Sequence, residues 1–221
     1  SAGYENNFTK DFNNDGLISG GTNYQLLGDN GAVTLRTSSS HSGWDDDTSG
    51  IWDVTAAKNN SSSFQVLFEG TGSRDGYNIV WTTDANGIYS SDTGWITDAA
   101  AESAGYENKF AKDFNNDGLI SGGTHYQLLG DNGAVTLKYH SSWSGWNDDT
   151  SSQWNVTAAK NNSSSFQVLF DGTGSREGQN VVWTTDANGI YSSDTGWITD
   201  AQAASAGYED TFTKDFNSDG L

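Results

Sequence analysis

Short runs of alternating apolar and polar residues, separated by turns rich in Gly, Asn and Asp, make up most of the chain. This period of two is typical of half-buried β-strands. The clearest case is the turn Gly28-Asp29-Asn30-Gly31, which stands between apolar runs at 24–27 and 32–35 and predicts a hairpin. Further strands are predicted at 52–56, 64–68, 77–82 and 88–89. Together these elements indicate a small antiparallel β domain.

One segment has helical periodicity instead. Residues 97–112 are rich in Ala, and Thr97 or Asp98 can cap the start of a helix there. The helix would carry an aromatic stripe at intervals of four residues, Tyr106, Phe110 and Phe114, repeated as Tyr4, Phe8 and Phe12 and as Tyr208, Phe212 and Phe216. We expect the stripe to pack against the sheet. The predicted fold class is therefore α+β, mainly β with one helix per repeat.

The chain repeats itself at the scale of a domain. Residues 1–102 align with residues 103–204 without a gap and agree at about five positions in six. We predict two tandem beads: repeat 1 at 1–102, with its β region at 23–95, and repeat 2 at 103–204, with a helix from about residue 97 and its β region at 125–197. Residues 205–221 begin a third repeat and stop within its loop, so we expect the chain to belong to a longer protein.

A calcium-loop pattern opens each repeat. Residues 11–19 read D-x-N-x-D-G-x-I-S, the first nine positions of an EF-hand loop, and the predicted loops span 11–22 and 113–124. The expected ligands are the side chains of Asp11, Asn13 and Asp15, the backbone carbonyl of Leu17, and Ser19 directly or through water. The equivalent residues are Asp113, Asn115, Asp117, Leu119 and Ser121, then Asp215, Asn217, Asp219 and Leu221. The sequence therefore predicts Ca²⁺ as the cofactor.

The twelfth loop position departs from the EF-hand pattern. It holds Thr22 in the first copy and Thr124 in the second, where a bidentate Glu is usual. Glu5, Glu107 and Glu209 each stand six residues before the loop's first Asp. A helix that ends at the loop could bring this Glu back as a replacement ligand, or the Glu could be solvated. We expect weak affinity, on the order of 10⁻⁴–10⁻³ M; the alternative is an Asx turn without an ion.

Composition narrows the class of protein. The 221 residues carry a net charge of −19 with a pI of about 4.1, which disfavours nucleic-acid binding and attracts divalent cations. There is no Cys, so disulfides and thiolate metal sites are excluded. No apolar run approaches the length of a membrane span. We expect a secreted protein, located outside the cell or at its surface.

Several runs together resemble a known family. They are residues 52–57, 64–68 and 80–89, the last with its Asp84-Ala85-Asn86-Gly87 turn, then Trp95, Tyr106-Glu107, Phe110 and the loop 113–118. This combination resembles the tryptophan-rich C-terminal repeats of large secreted cyanobacterial and proteobacterial proteins, over roughly residues 52–120 of each period. The resemblance implies an extracellular, calcium-associated setting and no activity. It also makes Glu107 part of the loop motif, as a ligand or a brace.

Other candidate chemistry is sparse. The three His residues have no His counterpart in the other copy, and Ser occurs without a nucleophile-elbow motif, so we do not expect an enzyme. Trp44, Trp143 and Trp146 lie in polar segments, where they could stack on sugar rings or pack on the sheet. Trp52, Trp81 and Trp95 are expected in the core. The acidic run at 45–47 is interpreted as a solvated loop or a second weak cation site.

The sequence thus predicts an extracellular calcium-stabilised tandem-repeat structural protein that assembles with copies of itself. It would be a cell-surface, matrix or filament component, or the stalk of an adhesin. The alternative is an array of carbohydrate-binding modules that contact polysaccharide through exposed Trp residues.

Overall fold

The computed structural model describes residues 4–44, 50–147 and 153–220. The acidic run at 45–47 and the predicted ligand Leu221 lie outside the described residues. The chain divides into two compact units, Ser1–Ala101 and Glu102–Leu221. Each is β-sandwich-like, built mainly from antiparallel sheets with a few short helices. Residues 205–220 belong to the second unit.

The first unit contains two sheets. A three-stranded sheet has the order β1-β2-β3, and a five-stranded sheet has the order β4-β5-β6-β7 with β8 paired to the start of β6. The strands are β1 (Leu17–Ile18), β2 (Gln25–Gly28), β3 (Gly31–Thr34), β4 (Trp52–Asn59), β5 (Ser63–Gly70), β6 (Tyr77–Asp84), β7 (Tyr89–Asp92) and β8 (Ile96–Thr97). The hairpin around Asp29–Asn30 and the longer strands are where the alternating pattern predicted them. The short strands β1 and β8 were not predicted.

The second unit repeats both sheets. Its small sheet has the order β11-β10-β9, and its large sheet has the order β12-β13-β14-β15 with β16 paired to β14. The strands are β9 (Leu119–Ile120), β10 (Gln127–Gly130), β11 (Gly133–Thr136), β12 (Trp154–Asn161), β13 (Ser165–Gly172), β14 (Gln179–Asp186), β15 (Tyr191–Asp194) and β16 (Ile198–Thr199).

The small sheet packs on one face of the large sheet in each unit. In the second unit Leu128 contacts a layer of side chains that includes Phe166, Val168 and Phe170, which alternate along β13 on the inner face. Leu169, between them, points to the outer face. Apolar residues on both sides of β13 mean that the large sheet is covered on both faces.

The prediction of one continuous helix at 97–112 is wrong, because two short helices occupy this range. The helices are α1 (Tyr4–Phe8), α2 (Asp98–Ser103), α3 (Tyr106–Phe110), α4 (Asp200–Ser205) and α5 (Tyr208–Phe212). The break lies at Gly105, whose φ of 75° is left-handed, and Thr97 belongs to β8 while its hydroxyl accepts a hydrogen bond from Ala100 N–H. The Ala-rich residues before Gly105 favour a continuing helix, but a left-handed Gly ends it.

The aromatic stripe packs as predicted in the third copy and not in the first. Phe212 and Phe216 are buried against Ala158, Leu169 and Val182 on the outer face of the second unit's large sheet. In the first unit the equivalent residues are exposed: Tyr4 by 66%, Phe8 by 68% and Phe12 by 51%.

Candidate functional site

The acidic loop has the backbone shape that its sequence demands. Asn14 and Gly16 adopt left-handed φ angles of 62° and 82°. Asp11 Oδ2 accepts a hydrogen bond from Gly16 N–H at 2.8 Å, and Asp15 Oδ1 accepts one from Leu17 N–H at 2.8 Å. The second copy repeats both hydrogen bonds with the same distances. The carboxylates thus order the loop that carries them.

Glycine at the sixth loop position is required by a close approach. A Cβ on Gly16 would lie 1.9 Å from the carbonyl oxygen of Ala57 on β4, and a Cβ on Gly118 would lie 1.9 Å from that of Ala159 on β12. No side chain can be placed there without moving the loop off the large sheet. The sequence identified this Gly from the turn it makes, and the contact with the sheet adds a second reason.

The loop is a joint between the helix that precedes it and both sheets. Asn6 N–H of α1 donates to Ser19 O at 3.1 Å, Leu27 N–H of β2 donates to Gly16 O at 2.9 Å, and Ala57 N–H of β4 donates to Asp15 O at 2.7 Å. A change in the loop's conformation therefore affects three elements at once.

The Glu before each of the first two loops is a buried brace. Glu5 is 1% exposed and Glu107 is fully buried. Glu5 accepts hydrogen bonds from Phe12 N–H through one oxygen and from Ser19 N–H through the other, each at 3.0 Å. Glu107 accepts the equivalent bonds from Phe114 N–H at 2.9 Å and Ser121 N–H at 2.8 Å. These bonds join the second and the ninth positions of the loop.

The brace contradicts the idea that this Glu is merely solvated. Its carboxylate stays ionised, because the Ser19 hydroxyl, at 2.5 Å, and the backbone donors hold the pKa of Glu5 below its ordinary value. The hydroxyl of Ser19, an expected ligand, therefore donates its hydrogen bond to Glu5 in this structure. In the third copy the half-buried Glu209 makes the first of these bonds, since it accepts a hydrogen bond from Phe216 N–H at 3.0 Å.

The Asp carboxylates of the first two loops are under electrostatic stress. Burial raises the pKa of Asp15 and of Asp113, and it raises the pKa of Asp117 to about 6. Charge repulsion adds to the effect on Asp117, from Asp113 and then from Glu107. A cation beside these carboxylates would relieve both contributions.

Three further observations fit a calcium ion at the second loop. Asp113 Oδ1 is buried and has no hydrogen bond of normal geometry within the described chain. Because Leu129 N–H donates to Gly118 O, the pair Leu119–Leu128 is a non-hydrogen-bonded pair, so the Leu119 carbonyl faces away from β10. Asp113 and Asp117 also line a cavity of about 390 Å³, which gives access from solvent.

The donor set is incomplete as a closed metal site. Within residues 4–44, 50–147 and 153–220, no three Asp, Glu, His or Cys side chains are grouped so that they could hold a metal. Thr22 and Thr124 at the twelfth position are exposed. Asn13 and Asn115 donate their amide N–H to Asp15 and Asp117. Oxygen donors from one side chain at each of three positions, plus one carbonyl, fit a hard cation that keeps several waters.

The third loop is more open. Asp215, Asn217 and Asp219 are exposed, yet Asp215 Oδ2 accepts a hydrogen bond from Gly220 N–H at 3.0 Å, as in the other copies. Its conformation is therefore set by the same local hydrogen bonds.

The Trp residues singled out for sugar binding are mostly packed inside. Trp44 lies edge-on to Phe68 and to Trp81, with ring centroids 5.7 and 5.3 Å away, and Trp146 makes the equivalent contacts in the second unit. Tyr24 N–H donates to Trp44 O and Trp44 N–H donates to Leu35 O, each at 2.8 Å, and these bonds keep Trp44 against the small sheet. Trp143 is half-buried with its ring 5.7 Å from that of Trp146.

The exposed Trp residues are others. Trp95 was expected in the core, but it is 53% exposed, and its repeat-2 equivalent Trp197 is 59% exposed. Each is stacked on a guanidinium, Arg74 at 3.9 Å and Arg176 at 3.5 Å from the ring centroid. The strand-adjacent position of Trp95 suggested burial, but β8 is short and pairs only with the start of β6, so the ring projects from the sheet.

Comparison of the chain with protein-family models, with curated proteins and with solved structures finds no match in any of the three. Across the described residues, the helices are too short and too polar for any of them to cross a membrane.

Proposed function

We propose that this chain is part of a calcium-stabilised tandem-repeat structural protein, located outside the cell or at its surface. In this proposal each repeat forms the same bead, a β-sandwich with a helical segment and one calcium loop. A matrix or filament component and an adhesin stalk are the two settings in which such beads would be used. The resemblance to tryptophan-rich secreted repeats motivates the location.

The observation that carries the proposal is the position of the loop. The first loop is hydrogen-bonded to α1, β2 and β4 at once, and burial raises the pKa of Asp15 there and of Asp117 in the second loop. An ion there would neutralise Asp113 and Asp117 at the point where the helix meets both sheets. The net charge of −19 supports a setting rich in divalent cations.

The residues divide the work between holding an ion and shaping the loop. Asp113, Asn115 and Asp117 would supply side-chain oxygens, and Leu119 would supply its carbonyl. Glu107 holds the loop closed by accepting two backbone N–H groups, so it acts as a brace and leaves the ion to the other four. When bound, calcium would supply positive charge and oxygen coordination, with water completing the shell.

The energy involved is modest but matters for a domain of this size. With a dissociation constant on the order of 10⁻⁴–10⁻³ M, millimolar calcium would stabilise the bound state by about 0.4–1.4 kcal/mol per site. A small domain has a total stability of roughly 5–15 kcal/mol. Sites this weak would therefore be at least half filled at millimolar calcium, and would contribute a measurable share of the stability.

The test is calorimetry of the full chain in chelator and in millimolar calcium. We expect calcium to raise the melting temperature, and Asp113→Asn with Asp117→Asn to remove the shift of the second unit while the first unit keeps its own. The matched control is Glu177→Gln with Asp210→Asn, which removes the same charge from exposed positions of the same unit. An unchanged melting curve in calcium, or an equal effect of the control, would refute the calcium proposal.

A second candidate function has one supporting observation. Trp146, Trp154, Trp183 and Trp197 line a cavity of about 180 Å³ in the second unit, with Asp194 at its edge. Trp146 Nε1–H is buried without a hydrogen-bond partner in the described chain. Aromatic faces with a carboxylate fit a sugar ring. Quenching of Trp fluorescence by millimolar oligosaccharides, lost in Trp197→Ala, would support this candidate, and no response across a glycan panel would reject it.

A further inference from the structure

The helix and loop that begin each repeat occur in two environments. We call residues 4–19 the N-terminal segment and residues 208–220 the C-terminal segment. In the C-terminal segment Phe212 is 8% exposed and Phe216 is 7% exposed, because both lie on the outer face of the second unit's large sheet. In the N-terminal segment the equivalent Phe8 and Phe12 are 68% and 51% exposed. The same sequence motif is thus docked in the C-terminal segment and bare in the N-terminal segment.

The two segments have the same internal structure. Each has a left-handed residue after its helix, Thr9 at φ 50° and Thr213 at φ 52°. In each the Glu accepts a backbone N–H from the second Phe at 3.0 Å. The bare segment therefore already has the docked conformation, and docking would require little ordering of its backbone.

The face that receives the C-terminal segment has a definite chemistry. It consists of Ala158 of β12, Leu169 of β13 and Val182 of β14, with Ala203 of α4 beside them. An ion pair borders it, since Lys214 of the segment contacts Asp171 of β13. Lys10 stands at the equivalent place in the N-terminal segment. The bare segment thus has both the aromatic side chains and the positive charge that this face accepts.

We infer that the N-terminal segment is a docking element for a second copy of this chain. It binds the outer face of β12–β14 in that copy, with Phe8 and Phe12 in the places of Phe212 and Phe216, and with Lys10 against Asp171. The donor and the acceptor are different surfaces, so the contact is head-to-tail and does not close on itself. Copies joined in this way form an open chain.

Within this chain the C-terminal segment competes for the same face. It is tethered beside the face, which gives it a high effective concentration over a segment from another molecule. The wild-type chain is therefore mostly monomeric, and exchange of segments is what allows growth. This inference goes beyond the calcium proposal and does not depend on an ion in the loop.

The experiment frees the face in the full chain with Phe212→Asp and Phe216→Asp. By sedimentation velocity the weight-average mass should at least double between about 1 and 100 μM. Adding Phe8→Asp and Phe12→Asp should return the chain to a monomer. Association that persists with all four substitutions would be non-specific and would overturn the inference, as would a double variant that stays monomeric while its β-sheet circular dichroism is unchanged.

Mixing variants provides a second readout, the formation of a complex of defined size. The fourfold variant has a free face and no working segment, so with wild type it should form a complex of one chain each and no larger species. The same variant mixed with Phe8→Asp/Phe12→Asp should form none. A mixture with wild type that shows only monomers would overturn the inference.

A charge exchange distinguishes specific docking from non-specific association. In the chain with the freed face, Asp171→Lys should weaken association at least tenfold, and Lys10→Glu added to it should restore most of the loss. Failure of this rescue would contradict the proposed register. All measurements are made in chelator and in millimolar calcium. Association without any calcium effect on melting would leave the docking standing and reject the calcium proposal, and the reverse pattern would do the opposite.

Discussion

Replacing Glu107 with Gln tests whether this residue is a brace or a ligand. The side chain is fully buried and accepts Phe114 N–H at 2.9 Å and Ser121 N–H at 2.8 Å. Gln keeps the shape and one acceptor oxygen, but its amide places a donor against a backbone donor. A hydrogen bond to a charged group is lost and a buried N–H is left unpaired, which together cost about 2–4 kcal/mol.

One effect works in the opposite direction. Removing the charge of Glu107 relieves its repulsion of Asp113 and Asp117. That repulsion is smaller than the effect of burial on either Asp, whose pKa shift it only supplements. We therefore expect the lost hydrogen bond to win and the second loop to open more often.

Native-state hydrogen exchange measures this directly. In chelator, protection of the Ser121 amide should fall by about 30-fold to 1,000-fold, since each 1.36 kcal/mol is a factor of ten. Ser19 in the first loop is the internal reference, because Glu5 still holds it. Glu177→Gln, at an exposed position of the same unit, is the matched control.

Equal protection of the Ser121 and Ser19 amides in the chelated Glu107→Gln protein would contradict this prediction. That result would mean that the carboxylate does not close the loop. If calcium binding were lost at the same time, Glu107 would act as a ligand instead.

Three other predictions can be checked on the same protein. Gly118→Ala places a Cβ 1.9 Å from a carbonyl oxygen of β12, at a φ of +81°. It should therefore destabilise the second unit by about 2–5 kcal/mol in urea titration. The control Gly133→Ala, whose Cβ meets no atom within 4 Å, should cost about 1–2 kcal/mol. Trp183→Ala, at a 9% exposed position, should cost about 3–5 kcal/mol, and Trp197→Ala, at a 59% exposed position, about 1 kcal/mol or less; equal losses would contradict the assigned burial. Burial raises the pKa of Asp117 to about 6, so the folded state holds this proton more tightly than the unfolded state does. The chelated protein should therefore gain stability from this group as pH falls from 7.5 towards 5, and calcium affinity should fall over the same range; a flat urea midpoint would contradict the shift.

The loop shows how far local sequence can carry a prediction. Asp, Asn and Gly at fixed spacing predicted the sharp turn, and the left-handed Asn14 and Gly16 agree with it. The role of Glu5 could not be read in the same way. Its partners, Phe12 and Ser19, are 7 and 14 residues away, and only the fold of the preceding helix brings them to one carboxylate.

The aromatic residues divide along the same line. Their period along the chain predicted strands and a helical stripe, but period alone does not say which rings are covered. Trp44 lies in a polar segment of the sequence, yet it is packed against Trp81. Trp95 lies beside a predicted strand, yet it is half exposed. Burial depends on what the rest of the chain places over a ring, and that is a non-local quantity.

The sequence by itself determined the repeat, the turns, most strands and the loop, because each depends on residues close together along the chain. Gly105 could be read from the sequence, but its left-handed conformation could not, since the Ala-rich residues before it favour a continuing helix. Only the tertiary structure decided that Glu107 is a brace, that the large sheet is covered on both faces, and that Phe212 is buried while Phe8 is bare. The two Phe residues have nearly the same local sequence, so their difference comes entirely from whether a sheet face lies within reach.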